Sequence, residues 1–193
     1  TKKMFEINFK KLNISQYNAN YLMNKFKNPT SSIQMNCYLL YLCLQDNNIP
    51  KENFTIIDYG GGSGVFSLLA KEYGINKVIY NDIYDVSCDD IKILSKALNL
   101  NIDENICGDI TDLIISLENK NLFVNALSSY DVIEHIYDIE HFMRNLKNIP
   151  NNNFRVVLGS GANERNPIIK RQLQKKHHLF EYTTRQSTYG HKK

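Results

Sequence analysis

FTIIDYGGGSGVFSLLAKEYG, residues 54–74, is the stretch whose reading decides the fold of this 193-residue chain. An apolar run ends on Asp58, glycines stand at positions 60, 61, 62 and 64, and a pattern of helical period starts at about Ser63. That order is a buried strand feeding a helix through a tight turn. Glycines at such a junction let a ligand reach the backbone with no Cβ in the way. The amides that open the helix form a site for a small anion.

The same grammar repeats downstream. Short apolar runs at 54–58, 77–81, 105–108, 122–128 and 154–159 alternate with helical patterns at about 63–73, 89–99, 111–119 and 138–148. Strands alternating with helices of this length predict an α/β, Rossmann-like, doubly wound sheet, mostly parallel, with helices on both faces. Residues 1–53 read as a helical N-terminal lid and 54–193 as the ligand-binding domain. Within the lid, one helix runs from about Ser15 to Phe26 and stops before Pro29, and a second runs to about Gln45. The second helix is apolar nearly all round at 38–44, which predicts burial on every side. Tyr17 and Tyr21 are possible contacts to the acceptor. The tail from Ser160 is polar and basic, with a helix expected over 164–176.

Bulk properties narrow the function. A length of 193 residues suits one domain, and 42% hydrophobic with 22% charged residues is ordinary for a globular protein. A net charge of +3 is too small to make nucleic acid the expected main partner. The longest apolar run, CYLLYLCL at 37–44, is far too short to span a membrane. Cys37, Cys43, Cys88 and Cys107 show no paired spacing and read as reduced thiols, two of them in the core, which together with the lack of a signal peptide predicts a cytoplasmic protein. The apolar runs account for five strands, and the expectation is either a trimmed fragment, in keeping with the start at Thr1, or a tail at 179–193 that adds part of the sheet.

The letters of the loop discriminate among ligands. A phosphate-binding P-loop needs a Lys after its last glycine, and none follows. The dinucleotide pattern needs a third glycine or alanine where Val65 or Ser67 stands. What remains is Asp58-x-Gly60-x-Gly62-x-Gly64. An acid beside an anion site suits a zwitterionic amino-acid ligand better than a pyrophosphate.

This signature resembles the first motif of the class I S-adenosylmethionine-dependent methyltransferases, and three further stretches are similar to that family's later motifs. IYND ends the second strand, ICGDI the third and SSYDVIEH the fourth. The resemblance covers about residues 54–159. It implies S-adenosylmethionine as cofactor and S-adenosylhomocysteine as product, held by Asp58, Gly60, Gly62 and Gly64, by Asp82 and Ile83, by Asp109 and Ile110, and by Ser129. Asp82 would accept from the ribose hydroxyls, Asp109 from the adenine amino group, and Ile110 would pack on the ring. His135 would serve as general base with Asp131 or Glu134 orienting it. The acceptor expected is a small or sugar-like molecule methylated at oxygen. Asp82 and Asp109 can equally cap the helices that follow them, and DVIEH can simply begin the next helix.

A second resemblance, carried by DVIEH and by HHLFEYT at 177–183, is to the metal-dependent 2′-O-methyltransferases of RNA 3′ ends. It implies a divalent cation on Asp131, Glu134, His135 and His178, although Asp131 stands where that family has Glu and no strongly basic face is evident. The basic run Lys170, Arg171, Lys175 and Lys176 is either a phosphate contact or a solvated helix face. Two readings of other classes stay open: a nicotinamide-dependent oxidoreductase, and a non-catalytic S-adenosylmethionine-binding domain. The lack of a D/N-P-P-Y stretch or a P-C pair at the fourth strand speaks against amino methylation of DNA or glutamine and against cytosine C5 chemistry.

Overall fold

A computed structural model describes residues 7–27, 29–149, 151, 154–161 and 171. Five strands, β1 (Thr55–Tyr59), β2 (Lys77–Asp82), β3 (Glu104–Cys107), β4 (Ala126–Tyr130) and β5 (Arg155–Gly159), form one open sheet in the order β3-β2-β1-β4-β5. All four pairings are parallel. The six α-helices among the described residues are α1 (Gln16–Lys25), α2 (Pro29–Leu44), α3 (Val65–Tyr73), α4 (Asp85–Leu98), α5 (Ile110–Asn119) and α6 (Ile139–Leu146). The fold is the doubly wound α/β architecture the alternation predicts. The expected tail helix at 164–176, the tail segment at 179–193 and His178 lie outside the described residues, Arg171 excepted.

Strand alternation explains how the two faces are filled. Ile57, Tyr59, Ile79 and Leu127 pack under α5 and α6 with Leu113, Leu117 and Phe142. Ile56, Val78 and Ala126 point the other way, into a cluster with Leu39, Leu40 and Cys43 of α2 and Phe66 and Ala70 of α3. Tyr80, Val65 and Leu68 join α4 in a third cluster, which Leu22 of α1 and Phe9 complete.

The helix α2 is therefore a layer of the α/β domain, and a boundary at residue 53 cuts through packed core. Arg155 on β5 donates to the Leu42 carbonyl at 2.9 Å, tying that helix to the sheet edge. Its expected burial on all sides is corrected to one face: Tyr38 and Tyr41 are each 57% exposed and stack on one another. Pro29 opens this helix at the position where a missing N–H costs nothing. Of the cysteines, Cys43 and Cys88 are buried while Cys37 and Cys107 are exposed, and all four are free thiols. No helix among the described residues is long and apolar enough to cross a membrane.

Three element boundaries differ from the sequence expectation. The helix α4 starts at Asp85, because Ser87 and Asp90 take buried positions on the same face as Cys88, Ile91 and Leu94. The strand β4 starts at Ala126. Leu122 and Val124, read as its beginning, instead bury themselves beside the end of α5, with the Leu122 N–H bonded to the Leu117 carbonyl. DVIEH does not open a helix: Asp131 adopts φ +56°, a single 3₁₀ turn covers Ile133–His135, and α6 begins only after the Asp138 N-cap.

Candidate functional site

The site lies at the carboxyl ends of β1 and β4, where the strand order reverses, the place at which open α/β sheets bind ligands. After Tyr59 the chain makes its glycine turn and enters α3. The turn is knitted to β2: Gly61 N–H donates to the Asn81 carbonyl, Gly62 N–H to Asp82 Oδ2 at 2.8 Å, and the Tyr80 hydroxyl to the Gly62 carbonyl at 2.6 Å. A Cβ on Gly60 would strike Val132, and one on Gly61 would strike Tyr80. Gly62 is different. Its φ is +52°, and a Cβ there would meet nothing within 4 Å. The loop thus presents bare backbone to open space beside Asp82, and to packed side chains elsewhere.

Asp58 is buried beside the turn. Its Oδ2 accepts from Ser67 N–H at 3.1 Å and from the Ser67 hydroxyl at 2.7 Å, and the residue is 5% exposed. Burial pushes its pKa up to about 6 against the pull of the two Ser67 bonds. Through these bonds Asp58 straps β1 to α3. The expected anion site is narrower, since the N–H groups of Gly61, Gly62, Gly64 and Ser67 all have acceptors within the chain.

Asp82 sits at the end of β2, 5% exposed, with Oδ2 on Gly62 N–H and Oδ1 on Tyr84 N–H. A carboxylate offers about four acceptor positions, so capacity remains for ligand hydroxyls. Burial raises its pKa, offset in part by the Tyr84, Gly62 and Ile83 amides. Ile83, next in sequence, is 64% exposed, an apolar side chain on the lip of the site. Asp109 and Ile110 behave otherwise. Asp109 forms a capping box with Asp112, its Oδ1 accepting from the Thr111 and Asp112 N–H groups. Ile110 is 3% exposed inside the core cluster with Leu113 and Tyr59, so it has no face to lay against a ring. Asp109 thus caps α5 through Oδ1, while Ile110 is a core residue whose side chain packing has taken up.

The end of β4 supplies the remaining residues. Ser129 is 3% exposed and its hydroxyl has no partner among the described residues. Asp131, in a left-handed conformation, receives the Gly161 N–H on Oδ1 at 2.5 Å, and Glu134 receives the Ser160 hydroxyl at 2.9 Å. These bonds tie the loop after β4 to the chain leaving β5. Partial burial raises the pKa of Asp131; the Gly161 amide lowers it, Glu134 raises it, and Lys25 and His135 lower it. His135 is exposed at this mouth. Among the described residues no three of His, Cys, Asp or Glu are grouped so as to hold a metal ion. Asp131, Glu134 and His135 thus do not form a cation site by themselves.

Helix α1 brings in two side chains on the site's open side. Ser15 and Asn18 at its start are clasped by the buried Asp90 of α4, Asn18 Nδ2 lying 2.7 Å from Asp90 Oδ2. Its far end carries Tyr21, whose ring lies 4.6 Å from the Lys25 ammonium. The fields of these groups reach the site: Tyr21 raises the pKa of Tyr130, after desolvation and Asp131, while Lys25 lowers those of Asp58 and Asp131. Sequence reasoning named Tyr21 and missed Lys25 and Tyr130. The available signal was spacing, since Lys25 stands one turn beyond Leu22 and on the same side.

No family model and no curated protein matches this chain. Two solved structures of a protein named WbdD resemble it. One has 18% identity and a TM-score of 0.46, over 66% of this chain and 28% of that one. The other, WbdD with the kinase inhibitor LY294002, has 17% identity and a TM-score of 0.49, over 68% of this chain and 29% of that one. This chain spans less than a third of those proteins, and neither likeness bears on what it binds.

Proposed function

We propose that this chain is an S-adenosylmethionine-dependent methyltransferase domain acting on a small-molecule or sugar-like acceptor, at oxygen. The observation that carries the reading is Gly62: left-handed backbone facing open space, locked to the buried Asp82, at the point where the strand order reverses. Asp82 would take the ribose hydroxyls, Ile83 an apolar face of the nucleoside, and the bare turn the methionine portion. The unpartnered Ser129 hydroxyl is a further polar group offered at the end of β4. When bound, S-adenosylmethionine supplies an electrophilic methyl on a sulfonium sulfur, which an acceptor oxygen takes as the carbon–sulfur bond breaks. The chain's own contribution is alignment, and a place for the acceptor's proton. His135, exposed at the mouth with Asp131 beside it, is the group proposed to take that proton.

The cation reading names Asp131, Glu134, His135 and His178, of which His178 lies outside the described residues, and no step is assigned to a metal. Calorimetry with S-adenosylmethionine, S-adenosylhomocysteine, NADH and ATP tests the reading. Binding of the first two and not of NADH or ATP is expected. Binding of NADH alone would replace the reading with a nicotinamide-dependent one. Tight binding of S-adenosylmethionine with no methyl transfer to any sugar or hydroxyl-bearing acceptor would leave a non-catalytic binding domain.

A further inference from the structure

Cys107 ends β3 with its side chain exposed, and Cys88 lies 4% exposed on α4; both are free thiols. Side chains on either side of the pair tie the two elements together. Asn105 and Cys107 stand on one face of β3, as alternate residues of a strand do. Asp85 and Cys88 stand on one face of α4, a turn apart. Asn105 Nδ2 donates to the Cys88 carbonyl at 2.5 Å, and the Cys107 thiol donates to Asp85 Oδ1 at 3.1 Å.

A third tie runs through Asp82. It is the register partner of Cys107 across β2 and β3, and its carbonyl accepts from Gly108 N–H at 2.9 Å and from the Cys88 thiol at 3.4 Å. The Cys88 sulfur therefore touches the residue beside which Cys107 is paired. The two thiols also share a hydrogen bond. Burial raises the pKa of both; the shared bond raises that of Cys88 further and lowers that of Cys107, which Asp85 raises again. The exposed Cys107 is thus the thiol that solvent reaches first, with Cys88 waiting behind it. Cys37 and Cys43 are remote, since α2 packs on β4 and β5, across the sheet from β3.

We propose that Cys107 and Cys88 form an oxidative modification site, at which a low-molecular-weight disulfide such as glutathione disulfide converts the two thiols into a covalent bond between β3 and α4. The Cys107 thiolate attacks one sulfur of glutathione disulfide and expels the other glutathione as a thiolate, leaving a mixed disulfide on Cys107. Cys88 then gives up its proton to solvent and attacks the Cys107 sulfur, expelling the second glutathione. Two thiols are oxidised and one disulfide is reduced, and the two thiol protons end on the two glutathiones by way of solvent. The new bond takes the Cys88 proton from the carbonyl of Asp82, the residue whose carboxylate holds Gly62 N–H at 2.8 Å. This chemistry is independent of what the glycine turn binds.

The test uses the full chain with C37S, which removes the other exposed thiol. Folded protein is equilibrated in mixtures of glutathione and glutathione disulfide at about pH 8, where thiolate is plentiful enough for exchange. Free thiols are then alkylated and the digest is mapped by mass spectrometry. A peptide pair linked through Cys88 and Cys107 is expected. Adding C88S should leave Cys107 with a single glutathione attached, and adding C107S should leave the buried Cys88 reduced. The oxidised protein is expected to melt about 5–10 °C above the reduced one, because a closed loop of about 20 residues restricts the unfolded chain. Cys107 carrying glutathione while Cys88 stays reduced, with no second-site substitution present, would overturn the proposal. So would Cys107 bonded to a second copy of the chain, or both thiols still reduced in the most oxidising mixture. An oxidised form that melts no higher than the reduced one would place the bond in unfolded chains and overturn it also.

Discussion

Gly62→Ala adds a methyl group where the protein has empty space and a ligand would have its own atoms. The left-handed φ of +52° costs a non-glycine residue about 1 kcal/mol, and no folded-state collision adds to that. The expected outcome is a stability loss of about 1 kcal/mol by urea denaturation, with S-adenosylhomocysteine affinity down by about tenfold or more in calorimetry. A variant that binds as well as wild type would move the ligand away from the turn. Asp58 supports a second prediction at this scale. Its folded pKa of about 6 lies above the ordinary aspartate value of 3.8, so between those values the folded protein binds more protons than the unfolded chain. Stability contributed by this group therefore rises as pH falls through about 6 and levels off below about 4, by at most about 3 kcal/mol. Denaturation of wild type and Asp58→Asn from pH 7 to pH 4 should show the wild-type profile rising more steeply, by up to that amount. Parallel profiles would mean that Asp58 is not held in the buried state described. Asp82 and Asp131 are also raised by burial and would add slope of the same sign in both proteins.

At the scale of the element, the docking of α1 depends on one buried acid. Asp90 accepts from the backbone and hydroxyl of Ser15 and from the Asn18 amide. Asp90→Ala would strand those donors, and a hydrogen bond to a charged group contributes about 1.5–3 kcal/mol net of water. A loss of about 2–3 kcal/mol is expected, with amide hydrogen exchange in α1 accelerated well beyond that in α3. Uniform acceleration across both helices would show that α1 unfolds only with the whole domain. The same clasp explains a misplaced boundary. Ser87 and Asp90 are polar residues in buried positions on α4, which starts four residues before the expected helix at 89–99. They are core positions only because α1 arrives with complementary donors. The DVIEH stretch shows the converse. Its spacing reads as the first turn of a helix, but Asp131 and Glu134 are recruited by the chain after β5, which holds Asp131 in a left-handed conformation that no helix admits.

For the whole molecule, ligand binding should appear as stability. S-adenosylhomocysteine at a hundredfold excess over its Kd adds about 2.7 kcal/mol, which for a domain of this size raises Tm by about 5–10 °C. A Tm unchanged at saturating ligand would mean that folded and unfolded chains bind alike, which a site assembled from β1, β2 and β4 does not allow. The order of strands and helices was legible because hydrophobic period and glycine punctuation are local: a strand buried on both faces and a helix buried on one write different patterns whatever surrounds them. The glycine turn was legible for the same reason, since positive φ is a demand on the residue itself. The duties of the acids were legible only in part. Asp58, Asp82, Asp90 and Asp109 are the same side chain in four places. One straps a strand to a helix, one steadies the turn with room to spare, one clasps α1, and one caps α5. A carboxylate takes whichever N–H and O–H groups packing brings within about 3 Å. The cap at Asp109 takes N–H groups two and three positions on and was open to the sequence, whereas Asp90 takes its donors from up to 75 positions away, so its role belonged to the tertiary structure.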